Sequence, residues 1–175
     1  ISQELLDRRV DELLDVILST AGAVKPLEGK PFDVEKHHAM AAKASEQSIV
    51  LLKNENNLLP LKRGTKVAVI GEFAQKARYQ GAGSSVVNPT RLDNAMDVIQ
   101  GFGLDVVGFE AGYPRSGKGD DAMQARAVEL AKKADTVLLY IGLDEISESE
   151  GLDRSHMRLP QSQVELIEAV SAVNP

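Results

Sequence analysis

The chain has 175 residues, 20 basic against 26 acidic, a formal charge of -6 and 43% hydrophobic content, which suits one ordered globular core plus an attached element. The acidic balance and 4% aromatic content exclude the basic surface of a nucleic-acid binder, and the absence of cysteine excludes a thiolate nucleophile, a disulfide scaffold and Cys-based metal sites. No apolar run reaches the ~20 residues of a membrane span, so a protein without membrane or nucleic-acid partners is expected.

Leu5, Leu6, Val10, Leu13, Leu14, Ile17 and Leu18 fall at helical spacing among charged residues, predicting an amphipathic helix from Ile1 to about Ala21, ended by Gly22. Breakers at Lys25-Pro26 and Lys30-Pro31 predict a linker and a domain boundary at about residues 22–33, dividing the chain into 1–32 and 33–175. A second helix is expected from Asp33 to Leu52, before a loop marked by Asn54, Asn56, Asn57 and Pro60.

Strands and helices then alternate. Lys66–Ile70 is a strand; Thr90 caps a helix running to Gln100; Leu104–Phe109 is a strand; Asp120–Ala134 is a helix; Thr136–Ile141 is an apolar strand buried on both faces; and Pro160 opens a helix with Val164, Ile167 and Val170 inward. This order predicts an α/β fold, a three-layer α/β/α sandwich around a mostly parallel sheet. Three strands are fewer than a doubly wound sheet ordinarily has, so an incomplete sheet, hence a fragment, is expected.

Ligands of such sheets sit beyond the carboxyl ends of the strands, which singles out the loops at 71–89, 111–119 and 142–159. The first contains Gly81-Ala82-Gly83-Ser84-Ser85, where small residues let a backbone approach a ligand; the glycines lie too far past Ile70 for a dinucleotide fingerprint. The second, Gly112–Gly119, satisfies the G-x-x-x-x-G-K half of a phosphate loop, but Gly119 stands where a Mg²⁺-binding hydroxyl belongs, leaving a nucleotide hydrolase as the alternative reading. The third crowds Asp144, Glu145, Glu148, Glu150 and Asp153 into ten residues. Crowded carboxylates raise one another's pKa, as a general acid requires, although a solvated acidic loop or a Ca²⁺ site has the same composition. His37, His38 and His156 are not spaced as metal ligands, and no metal or other cofactor is expected.

Ser149-Glu150-Gly151-Leu152-Asp153-Arg154, with Leu159-Pro160, Gln163 and Leu166-Ile167, resembles the S-E-G-x-D-R…L-P…Q…L-I segment of glycoside hydrolase family 3, the β-glucosidase and β-xylosidase family. Residues 44–54 with Leu58-Leu59-Pro60-Leu61, the strand Lys66–Ile70 and the loop Gly81–Pro89 are colinear matches to the same family's second domain. The resemblance implies a retaining β-glycosidase with Glu150 as acid/base, Glu148 or Glu145 as substitutes in that loop, and Gly83, Ser84 and Ser85 on the sugar-binding rim. It places the nucleophile aspartate on a preceding barrel domain, of which Ile1–Gly22 resembles the closing helix. Asp153 and Arg154 are then an ion pair shaping the loop. A carbohydrate substrate, docking to that barrel domain and homodimer formation through exposed faces are the implied partnerships. A soluble protein, cytoplasmic or secreted, is expected, and the segment alone should be silent.

Overall fold

The computed structural model describes residues 1–27, 29 and 31–175, so Glu28 and Lys30 of the expected linker lie outside it. The chain divides into two compact units, Ile1–Ile49 and Val50–Pro175, a division later in the chain than the linker. Among the described residues no helix is long and apolar enough to cross a membrane.

The first unit is helical. Helix α1, Gln3–Val24, starts where the Ser2 hydroxyl accepts from the Leu5 N–H and runs through Gly22, the stop coming at the Lys25–Leu27 turn, where Pro26 has no N–H to donate. Helix α2, Val34–Ser48, is capped by the Asp33 carboxylate on the Lys36 N–H. It ends four residues before Leu52 because Ser48 turns its hydroxyl back onto the Ala44 carbonyl and Ile49 adopts an extended conformation. The apolar stripe of α1, including Leu6, Val10, Leu13 and Ile17, is exposed.

The second unit holds a parallel sheet of strands β1 (Lys66–Ile70), β2 (Asp105–Glu110) and β3 (Thr136–Leu139), in the order β2-β1-β3. The sequence KVAVI accounts for the central place of β1, since period-2 alternation sends consecutive apolar residues to opposite faces. Ala68 and Ile70 pack with Ala127, Leu130 and Ala131 of helix α4 (Asp121–Ala131) and with Leu166 and Val170 of helix α5 (Gln161–Ser171). Val67 and Val69 face the other way, onto Ala74 and Ile99, with Ala95 and Met96 of the short helix α3 (Ala95–Val98) alongside. Helices therefore cover both faces, as an α/β/α sandwich requires.

Four details differ from the sequence expectation. Helix α3 starts at Ala95 rather than near Thr90, because Asn94 caps it, with the Asp97 carboxylate accepting from the Asn94 N–H. Helix α4 is complete by Ala131, and Asn174 donates to the Ala131 and Ala134 carbonyls just beyond it, at 3.1 and 2.9 Å. Strand β3 is half-buried rather than covered on both faces, since it lies at one edge of the sheet. The buried positions of α5 are Gln163, Leu166 and Val170, with Val164 and Ile167 only partly covered.

Candidate active site

The three loops beyond the strand ends are joined to one another. Gly71 makes the first turn possible: at φ 112° it follows β1, and a Cβ there would run into the Tyr140 carbonyl. The 80–87 segment is then closed by one side chain, the Gln80 amide accepting from the Val87 N–H at 3.0 Å and donating to its carbonyl at 3.1 Å. The result is a compact loop that presents Gly83 and Ser84 toward the acidic segment.

That segment, residues 142–150, is fastened at both ends. At its start the Gln163 amide of α5, 1% exposed, pairs with both backbone groups of Gly142, at 3.0 and 2.8 Å. Next, the buried Asp144 accepts from the Ser147 N–H at 2.6 Å and forms the turn. At its far end the Glu150 N–H donates to the Ala82 carbonyl at 2.9 Å, and the Glu150 carboxylate accepts from the Ser84 N–H at 2.5 Å.

Two guanidinium groups hold the stretch between. Arg78, from the first loop, donates to the Glu148 carboxylate at 2.7 Å and to the carbonyls of Glu148 and Leu143 at 2.9 and 3.3 Å. Arg115, from the second loop, forks onto Glu145 at 3.0 and 2.6 Å, reaches the Lys76 carbonyl at 2.8 Å, and lies 4.7 Å over the Phe73 ring. Beside it the Tyr113 hydroxyl, pushed upward in pKa by burial, donates to the Tyr140 carbonyl at 2.7 Å.

These partners overturn the expectation of mutually raised carboxylates. The Arg115 fork pulls Glu145 down to about 2. Hydrogen bonding from Ser84, by its hydroxyl and its backbone N–H, holds the exposed Glu150 carboxyl below the ordinary glutamate range. At Glu145 and Glu150, donors to the charged form outweigh crowding. The expected Asp153–Arg154 pair is also absent among the described residues, where Arg154 donates to the Arg158 carbonyl at 3.2 Å.

Of the rim candidates, Gly83 and Ser84 stand directly against Glu150, whereas Ser85 faces back toward Gly81. Glu145 and Glu148 are committed to Arg115 and Arg78, leaving Glu150 as the loop's exposed carboxylate held by neutral donors alone. The residues that sequence reasoning passed over are Arg78 and Arg115. A count of carboxylates against nearby cations signals that such a loop needs arginines, but the spacing does not say which.

The phosphate-loop reading of Gly112–Gly119 loses its physical basis here. The N-terminus of α4 is capped by the Asp120 carboxylate, which accepts from the Met123 N–H at 3.0 Å, and Asp121 follows in the first turn. A phosphate would meet two carboxylates where it needs free N–H donors. Among the described residues, no group of three or more His, Asp or Glu side chains is placed to hold a metal ion.

Comparison with known proteins agrees with this architecture. The profile of the Glycosyl hydrolase family 3 C-terminal domain matches residues 49–175. The thermostable β-glucosidase B of Acetivibrio thermocellus is 40% identical over 99% of this chain, and an exo-α-(1→6)-L-arabinopyranosidase of Bifidobacterium breve is 39% identical over 97%; the chain covers 23% of each. The crystal structure of a Bifidobacterium adolescentis family 3 β-glucosidase superposes with a TM-score of 0.90 at 42% identity, over 99% of this chain and 25% of that one. The chain thus spans about a quarter of the length of these relatives, and by profile, identity and fold it belongs to glycoside hydrolase family 3.

Proposed function

We propose that this segment supplies the acid/base glutamate, Glu150, and part of the sugar-binding rim of a retaining β-glycosidase acting on terminal O-glycosidic bonds, with a β-glucoside as the first substrate to test. The observation that carries the reading is the placement of Glu150. It is exposed beyond the strand ends, and its backbone and carboxylate are both tied to the Gly81–Ser85 loop.

In a retaining mechanism one carboxyl group protonates the departing glycosidic oxygen while a second carboxylate attacks the anomeric carbon. The first group, now ionised, then takes a proton from the water that releases the sugar. Glu150 is given the first role and an aspartate of a barrel domain the second, the assignment that the family resemblance implies. The Ser84 N–H holds Glu150 in its ionised form, which suits the second half-reaction. The first half-reaction needs it protonated, and the charge of a nucleophile carboxylate only about 5 Å away raises the pKa of the acid toward that state. On this reading the segment by itself turns over no substrate, because it holds one of the two carboxylates.

The test is hydrolysis of a panel of nitrophenyl glycosides by the full-length protein and by Glu150→Ala. Loss of turnover in the variant, restored by azide as an external nucleophile that needs no base, is expected. Equal rates in the two proteins would refute the assignment.

A further inference from the structure

We propose that Arg78 is a positioning residue for proton transfer by Glu150, which it serves by fixing the path of the acidic loop rather than by touching substrate. The inference rests on the acid/base reading of Glu150 and extends it to a residue with no assigned role.

Arg78 lies six residues before Ser84, on the same loop that holds the Glu150 carboxylate. Its side chain is only 14% exposed, yet its three hydrogen bonds go to the neighbouring loop: the Leu143 carbonyl, the Glu148 carbonyl and the Glu148 carboxylate. One planar group thereby spans the turn that Asp144 makes and grips the main chain two residues before Glu150. The fork geometry matters, since an ammonium offers a single point of charge and cannot reach three acceptors in one plane.

Arg78 is also held at some energetic cost. Its Nε is the one buried side-chain nitrogen or oxygen without a partner among the described residues. A buried donor left unpaired disfavours the arrangement, which points to a guanidinium placed for what its other nitrogens hold. With Arg78 removed, the body of the acidic loop keeps Arg115 at Glu145, Gln163 at Gly142 and its own turn bonds from Ser147 and Glu148 to Asp144, but among the described residues no hydrogen bond from another element holds it between Glu145 and Glu150. The Glu148 carboxylate would also be released beside the acid.

The role has a kinetic signature that loss of stability does not share. A misplaced acid slows glycosides with poor leaving groups, which need protonation, and spares dinitrophenyl glycosides, which depart without it. In the full-length protein, Arg78→Ala should lower kcat/KM for phenyl and alkyl glycosides by about tenfold or more while changing the dinitrophenyl glycoside by less than about threefold. Arg78→Lys should show the same selective loss at smaller size. It also carries the test if the alanine variant does not fold. Equal losses on both substrate classes, or none, would overturn the role. Glu150→Ala is measured alongside. If it is selective and the Arg78 variants are not, Arg78 alone is misassigned; if Glu150→Ala shows no selectivity, the acid/base reading falls and the Arg78 role falls with it.

Discussion

Gly83 and Glu150 are packed so closely that a Cβ on Gly83 would lie 2.5 Å from the Glu150 Cβ and 2.7 Å from its Oε2. Gly83 also sits at φ 115°, where side chains with a Cβ are strained. The glycine is thus required twice, by its own backbone and by its neighbour, and the loop motif and the acid motif are two halves of one contact.

Gly83→Ala should therefore damage catalysis more than folding. The Glu150 carboxylate can swing away, but its Cβ moves only with its own main chain, so relief requires a local shift of the two exposed loops at residues 83 and 150, and the backbone strain adds on the order of 1–3 kcal/mol. On the acid/base reading proposed for Glu150, its displacement by about 1 Å is enough to cost on the order of 100-fold in rate. Steady-state kinetics of the full-length variant, with thermal unfolding measured beside it, checks this; a variant that keeps its rate would show that the contact is dispensable.

Gln163→Ala separates the anchor of the loop from its acid. The substitution leaves the Gly142 N–H and carbonyl without their partners, at a cost of about 1–3 kcal/mol. Gln163→Glu is expected to be worse at neutral pH, because it removes the donor and places a charge at a buried position. Urea titrations of the three proteins should rank wild type above alanine above glutamate, and a glutamate variant matching wild type would contradict the paired-amide geometry.

The Arg115–Glu145 fork should be visible as acid sensitivity. Glu145 titrates near 2 when folded, below its ordinary 4.5, so its contribution to stability is complete above about pH 4.5 and is lost as the pH falls through 2. Because Glu145 is 45% exposed, the contribution is small, under about 1 kcal/mol. Arg115→Met should accordingly be less stable than wild type at pH 7, with part of the gap closing between pH 4.5 and 2. The remainder reflects the Lys76 carbonyl and the Phe73 ring, which do not titrate, together with the Glu72 carboxylate 3.9 Å from the guanidinium. A gap constant across that range would mean that the fork contributes nothing.

Much of the second unit was legible because its signals are local. KVAVI at 66–70 is a short apolar run that reads as a strand, and the periodic apolar positions after Asp120 read as a helix. What could not be read was of two kinds. The end of α2 and the start of α3 turn on local side-chain bonds, Ser48 to Ala44 and Asn94 with Asp97, that the apolar pattern does not encode, whereas the half-burial of β3 depends on sheet order. Glu150 and the 81–85 loop were visible as motifs, but their contact joins positions 66 residues apart. The carboxylate pKa values were misjudged for the same reason. Their direction is decided by Arg115 and Ser84, contributed by other loops.

The fastenings of the acidic loop have one further property. Gln163 binds only the main chain of Gly142, Arg78 binds the Leu143 and Glu148 carbonyls besides the Glu148 carboxylate, and the Ala82 carbonyl meets the Glu150 amide. Main-chain groups are common to every amino acid, so the path of the loop is largely independent of the side chains at exposed positions such as Ile146 and Ser147. Those positions are free to drift under selection while Glu150 keeps its place. A scaffold of this kind can vary its exposed surface without relearning how to hold the Glu150 carboxylate.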